Sequence, residues 1–227
     1  MQYQTATQTG TLATEQNKVL RNTYMMLALT MIPTVIGAFV GMSMDFSFMA
    51  GSPIMSSLLM FGAMMGMMFA VSALRNSIWG IAALLGFTFV AGVFLGPILQ
   101  VALHLSNGAQ LIGMAAGGTG IIFFSLATIA TVTKKDFSFM GKFLFIGLIL
   151  LIVASLANLF FQIPALSLTI SSIAVLLFSA FILYDVSRIV NGGETNYVMA
   201  TLGLFLSIYN LFISLLQLLM AFSGERD

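Results

Sequence analysis

No cysteine occurs in the chain. That excludes disulfides, iron–sulfur clusters and thiolate metal sites. The one histidine, His104, cannot build a metal site alone, so no metal or other cofactor is expected. Charge is also scarce, at 7% of residues, against roughly a quarter in a soluble domain. A net charge of +1 argues against a nucleic-acid surface and a nucleic-acid partner. Residues 1–22 are polar and rich in Gln and Thr, and lack a basic start running directly into an apolar stretch, so no signal peptide is read there.

What is present is apolar. Hydrophobic residues make up 59% of the chain, and the mean hydropathy is +1.07. This composition belongs to an all-α polytopic membrane protein. At about 20 residues per span, the 227 residues leave no stretch for a soluble domain. The apolar runs and their punctuation predict seven transmembrane helices, at 23–43, 53–74, 78–103, 109–132, 142–161, 165–189 and 197–222. Residues 1–22 are expected to form a flexible cytoplasmic tail, and 223–227 a short external C-terminus. Gln162-Ile163-Pro164 leaves only a short turn between spans five and six, which makes them antiparallel neighbours.

Orientation follows from Lys and Arg. With the N-terminus inside, the inner segments hold Lys18, Arg21, Arg75, Lys134, Lys135, Lys142 and Arg188, and the outer ones only Arg226. Small-residue pairs four apart let helix backbones approach. Four such pairs occur: Gly37/Gly41, Gly62/Gly66, Gly92/Gly96 and Gly113/Gly117. With 21 glycines in the chain, some must arise by chance. Asp45-Phe-Ser-Phe-Met49 recurs as Asp136-Phe-Ser-Phe-Met140. Two inverted three-helix halves would place the copies on opposite sides of the membrane. A chance match of two interfacial segments is the rival explanation.

The chemistry centres on Asp185. Of seven acidic residues, it alone falls within a span, where a carboxylate must face protein or water. Arg188 follows one turn later on the same helix, and Arg75 ends helix two on the same side. Either could pair with it, as a static packing tie or as part of a functional site. Ser207, Asn210, Ser214 and Gln217 form a polar stripe on helix seven, either gluing helices together or lining a wet path. Twelve of the 17 methionines lie between Met25 and Met68. Met60, Met64 and Met68 could present thioethers to a soft metal, although methionine more often fills gaps in a core. Tyr184-Asp185 is similar to the Tyr-Asp of intramembrane aspartyl proteases. Those need two carboxylates sharing a proton, and with no second intramembrane carboxylate the enzyme reading fails.

Several segments together resemble the Bax inhibitor (transmembrane Bax inhibitor motif) family: Gly92-Val-Phe-Leu-Gly-Pro-Ile-Leu99, Gly118-Thr-Gly-Ile-Ile-Phe123, Leu183-Tyr-Asp-Val186 and Leu204-Phe-Leu-Ser-Ile208. The resemblance runs from about Lys18 over nearly the whole chain. Lys18-Val-Leu-Arg-Asn-Thr-Tyr24, Gln162-Ile-Pro-Ala-Leu166 and Gly192-Gly-Glu-Thr-Asn-Tyr197 look like the bacterial YccA-like branch, the modulators of the membrane AAA protease FtsH.

The resemblance implies a fold with helix seven central between two three-helix layers. Gly92, Gly96 and Pro97, within the Gly92–Leu99 segment, are expected to serve helix packing. In family members that leak calcium, a helix-six carboxylate shares a proton with one on helix seven. It can also latch to a base at the inner end of helix two. Asp185 matches the first position and Arg75 the latch. The helix-seven position is Ser207 here, so the two-carboxylate sensor is incomplete. The family's Thr-Ala reads Thr119-Gly120. The leading expectation is an inner-membrane regulator whose partners are an FtsH-like protease and its membrane cofactors, within the lipid bilayer. The alternative is a pH-sensitive calcium or cation leak centred on Asp185, with Arg75, Arg188 and Ser207 around it. In both, Asp185 is expected to be ionised and ion-paired at neutral pH.

Overall fold

The computed structural model describes residues 2–47 and 51–224, with side chains described over 16–47 and 51–223. The helices that are described in full follow one another as α1 (Gln2–Ser43), α2 (Pro53–Leu74), α3 (Ile78–Phe94), α4 (Gly96–Leu103), α5 (Gly108–Thr133), α6 (Gly141–Phe161), α7 (Pro164–Val190) and α8 (Tyr197–Gly224). A 3-10 turn, Ser138–Met140, leads into α6. No strand occurs among the described residues. Seven segments are long and apolar enough to cross a membrane. They coincide with the seven expected spans to within a few residues, except that the first begins earlier, at Gln16.

The early start is one difference from the sequence reading. α1 is helical from Gln2, so the polar segment read as a flexible tail continues the first span as one helix. Once a stable apolar helix exists, each residue added gains a hydrogen bond without a new nucleus, which carries Gln, Ala, Thr and Glu along. At the other end, residues 225–227 of the expected external C-terminus lie outside the described residues.

The third span is broken. Gly96 and Pro97 open α4 directly after α3 ends at Phe94. Proline lacks an amide donor and its ring crowds the carbonyl four residues back, so a helix restarts there instead of continuing. α4 packs on α1. From it the Gln100 Nε2 reaches the C-terminal end of α1, its two protons shared among the carbonyls of Gly41, Met42 and Met44 at 3.3, 3.0 and 2.9 Å. Between α6 and α7, Gln162 turns left-handed (φ 51°). Asn158 holds that turn, accepting from the Ile163 amide at 3.0 Å and donating to Ser167 Oγ at 2.6 Å.

α8 is the hub. It packs against α1, α3, α5 and α7, with a lighter contact to α2. α1 to α4 form one layer, in which α1 crosses α3 and α2 lies on α3. α5, α6 and α7 form the other, with α7 touching both α5 and α6. The core is apolar and lies around α8, where Phe205, Leu204 and Leu211 meet Phe87, Ile182 and Val186, all but inaccessible.

Two of the four glycine pairs make a single interface. A Cβ on Gly37 would strike the Phe89 carbonyl, one on Gly41 the Val93 carbonyl, and one on Gly92 the Thr34 carbonyl. α1 and α3 therefore meet backbone to backbone. A Cβ on Gly62, Gly66, Gly113 or Gly117 would meet nothing within 4 Å, so those pairs mark no contact among the described residues.

Candidate functional site

Asp185 lies in the penultimate turn of α7, partly buried. It points to the first turns of α8. Its Oδ2 is 3.4 Å from Ser207 Oγ. That hydroxyl also lies 3.1 Å from the Gly203 carbonyl of its own helix. A hydroxyl has one proton to donate, so the shorter carbonyl bond competes with the carboxylate. Gly203 makes room for the acid: a Cβ there would stand 3.4 Å from Oδ2. A cavity of about 300 Å³ opens beside the carboxylate, walled by Met68, Ser72, Arg188, Glu194, Met199 and Leu206 among others.

Neither arginine pairs with Asp185. Arg188 Nη2 turns to Glu194 Oε2 at 3.5 Å and donates to the Gly193 carbonyl at 3.1 Å. Its guanidinium also lies over the Tyr184 ring, 5.5 Å from the centroid. The Asn191-Gly192-Gly193 break, with Gly192 at φ +78°, curls the chain back so that Glu194 comes within reach of Arg188. Arg75 is exposed and forms no ion pair with Asp185. Arg188–Glu194 is the only ion pair among the described residues. The expected ion-paired Asp185 is thus not what the geometry holds. The loop after α7 supplies a nearer carboxylate for Arg188, and Arg75 belongs to a turn at the membrane surface.

The turn that carries Arg75 is tied to the start of α8 instead of to Asp185 on α7. Asn196 Nδ2 donates to the Arg75 carbonyl at 3.2 Å and to Asn76 Oδ1 at 2.9 Å. Its Oδ1 caps α8, accepting from the Val198 and Met199 amides at 3.0 Å each. Asn196 thereby joins the α2–α3 turn to the start of the hub helix. An Asn directly ahead of an apolar run is an N-cap signal. Its role, and that of Glu194, could have been suspected from that signal and from the glycine break.

The polar stripe on α8 is largely self-satisfied. Asn210 Nδ2 donates to the Leu206 carbonyl and Ser214 Oγ to the Asn210 carbonyl, both at 2.8 Å. Besides the long Ser207–Asp185 contact, Gln217 reaches across, accepting from Ser171 Oγ on α7 at 2.8 Å. The cavity beside Asp185 reaches no further along α8 than Leu206. On the opposite face of α8, Phe205 stacks on Tyr209 and meets Phe87 edge-on. Met64 and Met68 pack against the core, so these thioethers act as filling. Among the described residues no group of three His, Asp or Glu side chains could hold a metal ion.

The repeated Asp-Phe-Ser-Phe-Met segments make the same local turn. Asp45 Oδ1 accepts from the Ser47 amide and Asp136 Oδ1 from the Ser138 amide, each at 2.8 Å. The second copy is also docked: Ser187 of α7 accepts from the Phe137 amide and donates to the Lys135 carbonyl, both at 2.9 Å.

A polytopic bundle with a central last helix and a solitary acid at the end of the sixth span calls for comparison with known proteins. The family described as inhibitor of apoptosis-promoting Bax1 matches residues 16–224. The chain belongs to that family. Bax inhibitor relatives cover it almost end to end. A protein of Vibrio cholerae, described as an uncharacterized membrane protein, is 42% identical over 205 residues, 90% of each chain. The Escherichia coli K12 protein named modulator of FtsH protease YccA is 40% identical over 203 residues, 89% of this chain and 90% of its own. A Neisseria meningitidis relative is 40% identical over 212 residues, 92% and 93% of the two chains.

Proposed function

We propose that this Bax inhibitor family member modulates a membrane-embedded AAA protease of the FtsH type, residing in a bacterial inner membrane with its N-terminus cytoplasmic. The observation that carries the reading is the 40% identity, over about nine-tenths of both chains, to a protein named as such a modulator. The architecture fits a client that engages the protease yet resists extraction. The polar residues ahead of the first span are the handle. The span that a pull on them loads first is α1, and α1 is locked to α3 by backbone contact at Gly37, Gly41 and Gly92. Interfaces between packed elements give way discretely rather than by gradual deformation, so this crossing is where extraction stalls.

The test is affinity capture of the full chain from bacterial membranes in mild detergent, with partners identified. It is paired with degradation of a membrane substrate by the reconstituted protease. Co-capture of the protease and slower substrate turnover are expected. Turnover unchanged by a saturating amount of the chain refutes the reading. Deleting residues 2–15 should keep insertion intact, because no apolar segment is lost, and should lengthen the chain's lifetime in protease-containing cells.

One observation favours a second reading, a proton-controlled cation or calcium leak: the cavity beside Asp185. Ser207→Asp would rebuild a two-carboxylate site there. Flux in liposomes that rises with this change and vanishes with Asp185→Asn would favour the leak.

A further inference from the structure

A second and larger cavity, about 920 Å³, lies on the other side of the hub helix. It is a groove between α1 and α5 with α8 as its floor, and its lining is almost wholly apolar. On α1 it runs from Tyr24 to Met42, a rise of about 27 Å, close to the ~30 Å hydrocarbon thickness. On α5 it runs from Ile112 to Val132. An apolar groove at this depth does not hold water, so hydrocarbon or protein must fill it.

Its two ends differ in charge. Arg21 stands three residues before Tyr24 and seven before Ala28, so it continues the line of α1 residues that faces the groove. Lys134 and Lys135 follow Val132 after Thr133, at the end of the facing wall. All three cations are exposed, and among the described residues none is in an ion pair. The nearest carboxylate in sequence, Asp136, is bound to the Ser138 amide. The opposite end of α1 is followed by the exposed carboxylate of Asp45. Basic clusters at one end of a slot between transmembrane helices fit lipid phosphates.

We propose that this groove binds an anionic phospholipid, one acyl chain lying along α8 between α1 and α5 and the phosphate held among Arg21, Lys134 and Lys135. The charges select this occupant over a partner's transmembrane helix. With this end cytoplasmic, such a helix brings its own basic flank to the same place and meets repulsion. The inference is independent of the protease reading.

Native mass spectrometry of the full chain in mild detergent tests it, with phosphatidylglycerol and phosphatidylcholine of identical acyl chains as probes. The parent should retain one phosphatidylglycerol and prefer it by roughly tenfold. Arg21→Ala/Lys134→Ala/Lys135→Ala should abolish the preference. Gly120 lines the groove and a Cβ there meets nothing within 4 Å, so Gly120→Leu should fold normally and lose the bound lipid. Ala116→Leu, at another exposed lining position, serves as the second filling variant. Equal retention of the two lipids by the parent overturns the proposal. So does phosphatidylglycerol retention unchanged in both filling variants that melt like the parent. Recovery of the groove crosslinked to a partner's helix, from Ala116→Cys in membranes, also overturns it.

Discussion

At the scale of single residues, the informative fact about Asp185 is what it does not touch. A desolvated ion pair loses stability when one partner is removed, because the other charge is stranded. Here Arg188 is already matched by Glu194, and among the described residues the one hydrogen-bond contact of Asp185 is the long one to Ser207. Asp185→Asn should therefore leave thermal stability unchanged or raise it by up to ~1 kcal/mol, since a neutral amide replaces an intramembrane carboxyl that has no ion-pair partner. Glu194→Gln should cost more than Asp185→Asn, because it strands the partly buried Arg188. Melting curves in detergent decide the order, and the reverse ranking would return the ion pair to Asp185. Asp136 gives the pH-dependent counterpart outside the spans. The Ser138 hydroxyl and then the Ser138 amide hold its carboxyl below the usual aspartate range. A depressed folded value means that the turn's contribution is present above the unfolded value and is lost as pH falls through the folded one. Protection of the Ser138 amide from hydrogen exchange, relative to an unstructured peptide, should be flat from pH 7 to 5 and fall only below about 4.

Among the elements, the α1–α3 crossing and the α4 cap divide the glycines and polar groups into those that matter and those that do not. Gly92→Ala drives a methyl into the Thr34 carbonyl and should cost about 1–3 kcal/mol, the range for overpacking. Gly62→Ala and Gly113→Ala enter open space and should be neutral or stabilise by about 0.4–1 kcal/mol. Thermal unfolding of the three variants checks this, and a Gly92→Ala protein as stable as the parent would remove the close crossing. Gln100→Leu leaves three carbonyls at the end of α1 without their donor. Its expected cost is about 1–3 kcal/mol wherever water does not replace the amide.

For the whole molecule, the orientation rests on seven of the eight Lys and Arg residues lying on one side. Reporter fusions after Gly224 should be active outside the cell and silent in the cytoplasm. A cytoplasmic C-terminus would sink both that orientation and the headgroup end assigned to the groove.

The seven spans, their short connections and the isolation of Asp185 were legible in the amino-acid sequence. Hydrocarbon demands about 20 apolar residues per crossing, and Gly-Ser-Pro, Ser-Asn-Gly, Gln-Ile-Pro and Asn-Gly-Gly punctuate them. The extension of α1 to Gln2 was not legible, because a polar helix that borrows its nucleus from a span has no apolar pattern of its own. Nor was the rotation of each helix about its axis. In a soluble bundle the buried face announces itself by contrast with a polar one. Here the lipid-facing side is as apolar as the core, with Phe39, Ile121, Phe143 and Leu176 all exposed. Four glycine pairs therefore looked alike, two arginines looked equally close to one carboxylate, and neither cavity left a trace. Only the packing of α1 on α3, and of every neighbour on α8, decided which glycines touch, which acid Arg188 meets, and where the bundle stays open.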